Sequence, residues 1–361
     1  MGYPRNRAIT ACYWSVRVVS AIAMCFAADA APRLTELADI RIGNPTFFNR
    51  QEGWAVSGPS LLRTVDGGST WKQVKIFVAG KQTNGEIRGT YFVSAKSAWL
   101  TLAQGDGLRQ RVGLSPEFVS THDGGSTWRA ETLPGADWFF DSLSATDDPR
   151  GPVWLGGQTS HESVAPVENM ECPQRVKGFI WSPTIYFRSA PGSDWEEQQL
   201  PVQNGCPVSM VRFTDKTHGV AVIGSEIVFS EDGGKHWSRS VIHTTRKILP
   251  AVSLQFRGSE GWIGSHGEVL YTADAGQHWQ EIVAARTLWS KELGFGPWGA
   301  VYFTSATTGF ILGGGGEVFE TSDRGKTWSK VALPDRIVNF SCADNVCWLA
   351  SEQRLYRLEG E

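Results

Sequence analysis

The sequence has little net charge, few histidines and only one long apolar run, and each shortage argues against a class of protein. The formal net charge of the 361-residue chain is −3, so nothing favours binding to nucleic acid or to an anionic membrane surface. The seven histidines lack the close spacing of metal ligands, and the glycines at 313–316 are typical of a hairpin turn rather than a phosphate loop. No metal and no cofactor are therefore predicted.

The one long apolar run lies at the N-terminus and predicts export. Val18–Ala28 follows three arginines and precedes the small residues of Ala28–Ala30, as in a secretory signal peptide. The run is too short to span a membrane. We therefore assign residues 1–30 to a signal peptide and residues 31–361 to one mature domain, periplasmic or secreted. A lipoprotein signal through Cys25 is the weaker alternative, because Met24 stands where a small residue is expected.

Cysteine is scarce as well, and removal of the signal peptide leaves four residues, Cys172, Cys206, Cys342 and Cys347. An even number in an exported chain favours disulfides. The short turn between Cys342 and Cys347 favours their pairing, and a bond between Cys172 and Cys206 would hold a long insertion in place. Three pairings are formally open, and buried free thiols are the alternative.

In contrast, glycine and tryptophan are abundant, and many of them recur in an eight-residue motif. "TVDGGSTW", which ends at Trp71, returns four more times with small changes. The pattern predicts a hairpin in which Asp accepts backbone N–H groups, Gly adopts a positive φ, and Trp packs between repeats. The Asp and Trp positions are Asp66, Trp71, Asp123, Trp128, Asp232, Trp237, Asp274, Trp279, Asp323 and Trp328. His236 and His278 replace the last hydroxyl in two copies, which we expect to weaken one turn hydrogen bond.

The spacing of the motif predicts an all-β, seven-bladed β-propeller with four antiparallel strands in each blade. Successive aspartates are 57, 109, 42 and 49 residues apart, so the gap of 109 contains a decayed copy, placed at Tyr186–Leu200 around Trp195. Ile337–Leu358 supplies three strands without a motif. The strand in Leu34–Ile42 completes that blade and closes the ring.

The two ends of such a ring differ in sequence. The motif turns emerge at one end, which we name the box face, and the hairpins between second and third strands emerge with the inter-blade linkers at the other, the loop face. Three long loops lie on the loop face, at 104–117, 156–184 and 284–299. Loops on a rigid scaffold commonly carry binding sites. The candidate binding residues are Arg109, Arg111, Glu168, Arg175, Trp181, Arg286, Trp289 and Trp298.

The motif resembles the Asp-box or BNR repeat, Ser/Thr-x-Asp-x-Gly-x-Thr/Ser-Trp, which Asp66 and Asp123 match fully and Asp323 also fits. Across Leu34–Leu358 the blade pattern is similar to the photosystem II assembly and stability factor family. That resemblance implies a non-catalytic propeller that binds a protein partner, including a subunit of a membrane-associated complex. It transfers no binding residue to this chain.

Two alternatives from other functional classes stay open. Sialidases also carry Asp boxes, but the Arg-Ile-Pro signature is absent, because Arg41 and Ile42 precede Gly43, and there are only seven tyrosines. A sialidase-like or other Asp-box glycoside hydrolase, with no catalytic residue assigned, is therefore the second hypothesis. A carbohydrate-binding propeller is the third, and it shares every sequence feature with the protein-binding one.

Overall fold

The sequence repeats fold into four-stranded antiparallel sheets, and in one of them Val241–His243 adds a fifth, parallel strand at the outer edge. The structure is a computed structural model that describes residues 33–83, 85–103, 117–133, 138–162, 171–172, 179–244, 251–265, 268–282 and 300–359. The predicted signal peptide lies outside the described residues. The strands that can be described form seven blades, which confirms the predicted fold class and blade number.

The strands follow the chain blade by blade, from the centre of the ring outward. The N-terminal strand and the first three blades comprise β1 (Arg33–Ala38); β2 (Gly43–Phe47), β3 (Gly53–Ser57), β4 (Ser60–Thr64) and β5 (Lys72–Val74); a small hairpin, β6 (Phe77–Val78) and β7 (Lys81–Gln82); β8 (Glu86–Phe92), β9 (Ala98–Ala103), β10 (Glu117–Thr121) and β11 (Arg129–Glu131); and β12 (Trp138–Ala145), β13 (Val153–Glu162), β14 (Phe179–Arg188) and β15 (Glu196–Gln198). Blades four to seven comprise β16 (Val208–Phe213), β17 (Gly219–Ile223), β18 (Glu226–Ser230) and β19 (Ser238–Arg239); β20 (Val241–His243), then β21 (Ala251–Arg257), β22 (Glu260–Ser265), β23 (Glu268–Thr272) and β24 (His278–Glu281); β25 (Val301–Phe303), β26 (Gly309–Leu312), β27 (Val318–Thr321) and β28 (Ser329–Lys330); and β29 (Ile337–Ala343), β30 (Val346–Ser351) and β31 (Leu355–Glu359).

The ring is closed by β1, as predicted. This strand pairs antiparallel with β31, with Leu34 opposite Leu358, and so becomes the outermost strand of blade seven. Both ends of the propeller thus share one sheet, and this shared sheet closes the ring. The described part of the chain contains no helix that could span a membrane.

The hydrophobic core is divided among the seams between neighbouring blades. A tryptophan on the second strand of one blade stacks on a phenylalanine on the first strand of the next. The ring centroids are 3.7 Å apart for Trp154 and Phe213, and 3.7 Å apart for Trp348 and Phe47. Because both faces of a central strand are covered by neighbouring blades, the sequence GVAVI of β17 is buried along its whole length.

The Asp boxes form the predicted hairpins between third and fourth strands. In the second blade the hydroxyl groups of Thr121 and Thr127 donate to the Asp123 carboxylate at 2.9 and 2.6 Å, and the Thr127 N–H donates at 2.9 Å. Partial burial raises the pKa of Asp123, but these hydrogen bonds outweigh it and lower the pKa. The Trp128 indole donates to the Gly125 carbonyl at 3.2 Å and packs against blade one. The box therefore fastens each blade to the preceding one.

Two expectations are corrected by the structure. The segment 156–184 is not one loop, because β13 runs to Glu162 and β14 begins at Phe179, which shortens the connection. Histidine also keeps the turn hydrogen bond, because the Nδ1 atoms of His236 and His278 lie 2.6 and 2.7 Å from their motif carboxylates. The imidazole nitrogen reaches the position that the threonine hydroxyl fills elsewhere.

Both favoured disulfides are formed. Cys342 and Cys347 lie opposite each other in β29 and β30, and Cys172 joins Cys206. The second bond ties the long loop of blade three to the linker that leads into blade four.

Candidate functional site in the central channel

Of the eight predicted binding residues, only one lies in the described part of the chain. Trp181 is half-buried within β14, where its backbone pairs with Ser160, so it is a strand residue rather than a loop residue. The other seven, Arg109, Arg111, Glu168, Arg175, Arg286, Trp289 and Trp298, lie outside the described residues. Their role in binding stays a prediction.

Beside Cys172, hydrogen bonds hold the described part of the loop face in place. The Glu171 carboxylate accepts hydrogen bonds from the Ser225 N–H and hydroxyl, both at 3.0 Å, and from Asn204 Nδ2 at 3.1 Å. The Cys206 sulfur lies under Gly224 in the same blade-four hairpin. A carboxylate clasp and a disulfide therefore fasten the end of the blade-three loop to blade four.

The first strands of consecutive blades lie against one another and surround a central channel. Their inner edges are partly sealed by side chains at one repeated position near the end of the first strand, where the chain approaches the turn into the second strand. Ser144 Oγ accepts from the Phe213 N–H at 2.9 Å, and Ser341 Oγ accepts from the Phe47 N–H at 3.0 Å. Gln255 Oε1 accepts from Phe303 N–H at 2.7 Å. Three blades thus use this position to cap the next blade.

Blades four and six place different chemistry at the same position. Arg212 precedes Phe213 on β16, and Tyr302 precedes Phe303 on β25. Arg257, at the end of β21 between them, donates to the Thr304 carbonyl oxygen. The three side chains lie towards the box-face end of the channel, since each strand runs from the loop face to a box-face turn.

Arg212 is the residue that distinguishes this channel. Its side chain is in contact with water, but the protein around the channel reduces its solvation and so lowers the pKa of the guanidinium. Among the described residues Arg212 has no ion pair and no hydrogen bond. Burial raises the pKa of Tyr302, which Arg212 and Arg257 oppose and Asp344 reinforces. The channel therefore presents an enclosed cation beside a neutral phenol hydroxyl.

This arrangement is suited to binding an anion. A guanidinium offers five N–H donors in a planar fork that matches a carboxylate, and none of those of Arg212 is used by the described residues. A phenol can donate to the same ligand. Within the range that the structure describes, no three His, Cys, Asp or Glu side chains are grouped so that they could hold a metal ion.

Sequence reasoning did not single out Arg212 or Tyr302. An alignment of the repeats on the Phe213–Gly219 and Phe303–Gly309 strand pairs would have placed both at the position of Ser144, Gln255 and Ser341. The signal is an arginine or a tyrosine where three other blades carry a serine or glutamine cap, and it can be interpreted only once that position is known to face the channel.

The fold and part of the sequence are similar to those of photosystem II assembly factors. The family described as photosynthesis system II assembly factor YCF48 matches residues 188–293. A solved structure titled "YCF48 bound to D1 peptide" is 17% identical with a TM-score of 0.57, and the match covers 91% of this chain and 97% of that one. YCF48 from Cyanidioschyzon merolae is 15% identical with a TM-score of 0.56, covering 90% and 98%.

A glycoside hydrolase has the same architecture. The GH74 xyloglucanase from Xanthomonas campestris is 12% identical with a TM-score of 0.56, and the match covers 90% of this chain but 53% of the enzyme. No curated protein matches the chain in sequence. The structural likenesses establish the propeller fold, and the family match supports the resemblance inferred from the motifs.

Proposed function

We propose that this protein is an exported, non-catalytic propeller that binds an acidic segment of a protein partner and assists the assembly or stability of a membrane-associated complex. The observation that carries this proposal is the enclosed guanidinium of Arg212, which has no partner among the described residues. The donors of this guanidinium face the water of the channel and are unused by the described residues, so an anionic ligand can bind to them. Arg257 and Tyr302 lie beside it and add donors to the same site.

Peptide binding is the form of this function that the comparisons favour. A propeller of the same fold is described as bound to a D1 peptide, so this architecture can bind a peptide. A carboxylate that bonds to Arg212 would contribute about 1.5–3 kcal/mol. Loss of that bond corresponds to about a 10- to 100-fold weaker affinity.

The predicted export of the protein is supported by its disulfide bonds. Two disulfides form in the described residues, and such bonds persist in oxidising compartments. Together with the predicted signal peptide they favour a periplasmic or secreted protein. The mass of the protein isolated from an envelope fraction tests this, because cleavage after Ala30 predicts a chain that begins at Ala31.

The binding function is tested by quantitative affinity capture from an envelope extract. We expect wild type to recover a membrane-complex subunit and Arg212→Ala to recover about tenfold less, at an unchanged melting temperature. Lys326→Ala is the matched control, because it removes an exposed cation on a blade-six box. A loop variant with Arg109→Ala, Arg111→Ala and Trp181→Ala tests the predicted loop-face site in parallel.

The outcomes separate the hypotheses. Loss of capture in the loop variant alone would move the site to the loop face and overturn the role of Arg212. Recovery of no specific protein by wild type would reject protein binding. Release of reducing ends from xyloglucan or sialosides by the wild-type protein would favour a glycoside hydrolase, the alternative that shares the fold.

A further inference from the structure

A second cavity lies on the box face between blades two and three, away from the channel. Its volume is about 510 Å³, and its lining includes His122, Asp123, Arg129, Pro149, Arg150 and Pro191. It opens where the blade-three box has decayed. The turn before β15 contains no motif Asp, and the Trp195 indole donates to the Thr132 carbonyl at 2.8 Å instead of to its own turn.

Arg129 is the best-oriented cation of this cavity. Its Nε donates to Glu131 Oε1 at 3.0 Å and to Ser120 Oγ at 3.2 Å, and Nη2 lies 3.1 Å from His122 Nε2. These bonds fix the plane of the guanidinium and leave three N–H groups for a ligand. The side chain is 47% exposed, so those groups are accessible from the cavity.

The guanidinium groups of Arg129, Arg188 and Arg150 outnumber the two carboxylates beside them, those of Glu131 and Asp123. Glu131 also accepts from Arg188 Nη1 at 2.9 Å, so one buried carboxylate serves two guanidinium groups. Arg188 is 2% exposed and stacks 4.7 Å from the Trp195 ring. A third cation, Arg150, is exposed on the opposite wall, and its side chain has no partner among the described residues.

His122 adds a titratable side chain to the same wall of the cavity. Because a guanidinium can only donate, Nε2 of His122 accepts from Arg129, and Nδ1 carries the proton that it donates to Ser97 Oγ at 3.2 Å. Burial and the charge of Arg129 lower the pKa of His122, with Arg188 acting in the same direction and Glu131 and Asp123 against it. The imidazole is therefore neutral at neutral pH.

We propose that this cavity binds a small organic oxyanion, a carboxylate or phosphate on a compact apolar body, through Arg129 and Arg150. The planar fork of Arg129 pairs with two oxygens, and Arg150 approaches from the facing turn. Pro149 and Pro191 supply an apolar surface for the body of the ligand. The site is independent of the channel and does not rest on the proposed function.

His122 makes the binding depend on pH. Protonation of its ring adds a positive charge beside the ligand. It also frees the Arg129 N–H group that donates to Nε2 while the ring is neutral. Anion affinity therefore rises as the pH falls through the lowered pKa of His122. By linkage, a bound anion makes His122 easier to protonate.

Calorimetric titration of the purified protein with benzoate, phenyl phosphate and inorganic phosphate tests the proposal. We expect benzoate or phenyl phosphate to bind, with affinity about tenfold weaker in Arg150→Gln and unchanged in Lys235→Gln, an exposed cation on the blade-four box. Preference for benzoate assigns a carboxylate ligand, and preference for phenyl phosphate assigns a phosphate ester. Equal affinity for inorganic phosphate and phenyl phosphate would overturn the role of the apolar surface.

The pH dependence of binding is measured with benzoate, which stays ionised between neutral and mildly acidic pH. We expect tighter binding at the lower pH in the wild-type protein and a flat profile in His122→Gln, which keeps a polar side chain without a titrating ring. Absence of binding by both organic probes, or equal binding by wild type and Arg150→Gln, would reject the site. A pH response that persists in His122→Gln would reject the role of His122.

Discussion

His236 Nδ1 lies 2.6 Å from Oδ2 of Asp232, in the position that the Thr127 hydroxyl occupies beside Asp123. The His236 N–H donates to Oδ1 of the same carboxylate at 2.9 Å, so ring and backbone together hold both oxygens. A histidine thus closes this turn as a threonine does. The box depends on a hydrogen-bonding group at a fixed distance rather than on a hydroxyl.

Replacement of Asp232 by Asn is predicted to lower stability at neutral pH but not in acid. Burial raises the pKa of Asp232, but hydrogen bonds from His236 and Ser230 outweigh it and lower the pKa from 3.8 to about 2. Because the folded pKa lies below the unfolded one, the stabilisation is complete above the unfolded value and is lost as the pH falls through the folded value. We expect Asp232→Asn to cost about 1 kcal/mol near neutral pH, measured by urea unfolding.

His236→Thr is the matched control for that measurement, because it restores the group found in other boxes. It should retain most of the stability at neutral pH. A cost of Asp232→Asn that is the same at every pH would contradict the assignment of the effect to the ionised carboxylate.

The residue after the motif Asp gives a second prediction. It has a positive φ in every box, and two boxes place a residue with a side chain there, Ala275 at 57° and Arg324 at 67°. L residues other than glycine are strained in this region by about 1–2 kcal/mol. Ala275→Gly is therefore expected to raise the free energy of unfolding by about 0.5–1 kcal/mol, after the added entropy of the unfolded chain is subtracted. Urea unfolding measures it.

The reverse substitution, Gly233→Ala, tests the same strain in another box. It should cost more than Ala275→Gly gains, because the new Cβ would lie 3.0 Å from the Lys216 carbonyl oxygen as well. If Gly233→Ala leaves the midpoint of unfolding unchanged, backbone strain does not limit the stability of the boxes.

The fold could be predicted because each repeat contains the residues that determine its own turn and its packing against the neighbouring blade. The Asp, Gly and Trp of a box define a turn and a seam without reference to the rest of the chain, so the blade number, the decayed copy at Trp195 and the closing strand β1 were all predictable. The extent of β13 and β14 was not, because the glycines and hydroxyl residues of "GGQTSHE" also suit a loop, and only pairing with β14 makes that segment a strand.

The site was less predictable because it depends on relations between blades. Arg212 and Tyr302 are ninety residues apart and meet only because the ring brings blades four and six to one channel. The cavity beside Arg129 arises from a motif that is missing, and a missing motif does not reveal what fills its place. Neither the channel site nor the cavity can be recognised before the closed ring is known.

The two disulfides are predicted to contribute unequally. Cys172 and Cys206 are 34 residues apart in sequence, and Cys342 and Cys347 are 5 apart. In the chain-entropy account a cross-link stabilises more when it closes a longer loop, by about 4 kcal/mol for the first and about 2 kcal/mol for the second. Chemical unfolding of the two double Cys→Ala variants measures the difference.

Glu171→Gln separates the disulfide from the clasp beside it. It weakens the hydrogen bonds from Ser225 and Asn204 but leaves the cross-link in place. If it destabilises the protein as much as loss of the Cys172–Cys206 bond, the clasp rather than the shortened unfolded chain accounts for the larger effect.

Glu320 provides the prediction with the opposite pH dependence. It lies half-buried on β27 opposite Phe310, without an ion pair or hydrogen bond in the described structure, and burial raises the pKa of its carboxyl above 4.5. Because the folded pKa lies above the unfolded one, stability is complete below the unfolded value and is lost as the pH rises through the folded value. Glu320→Gln should therefore raise the melting temperature at neutral pH and change it little in acid.

Glu352→Gln is the matched control, because it neutralises an exposed carboxylate in the turn between β30 and β31. It should leave the melting temperature nearly unchanged at both pH values. Since the expected gain at Glu320 comes from removing a desolvated charge, it must appear only where the wild-type carboxyl is ionised. A Gln variant that is less stable than wild type at neutral pH would mean that the charge at position 320 is favourable, and that blade seven or bound water solvates it.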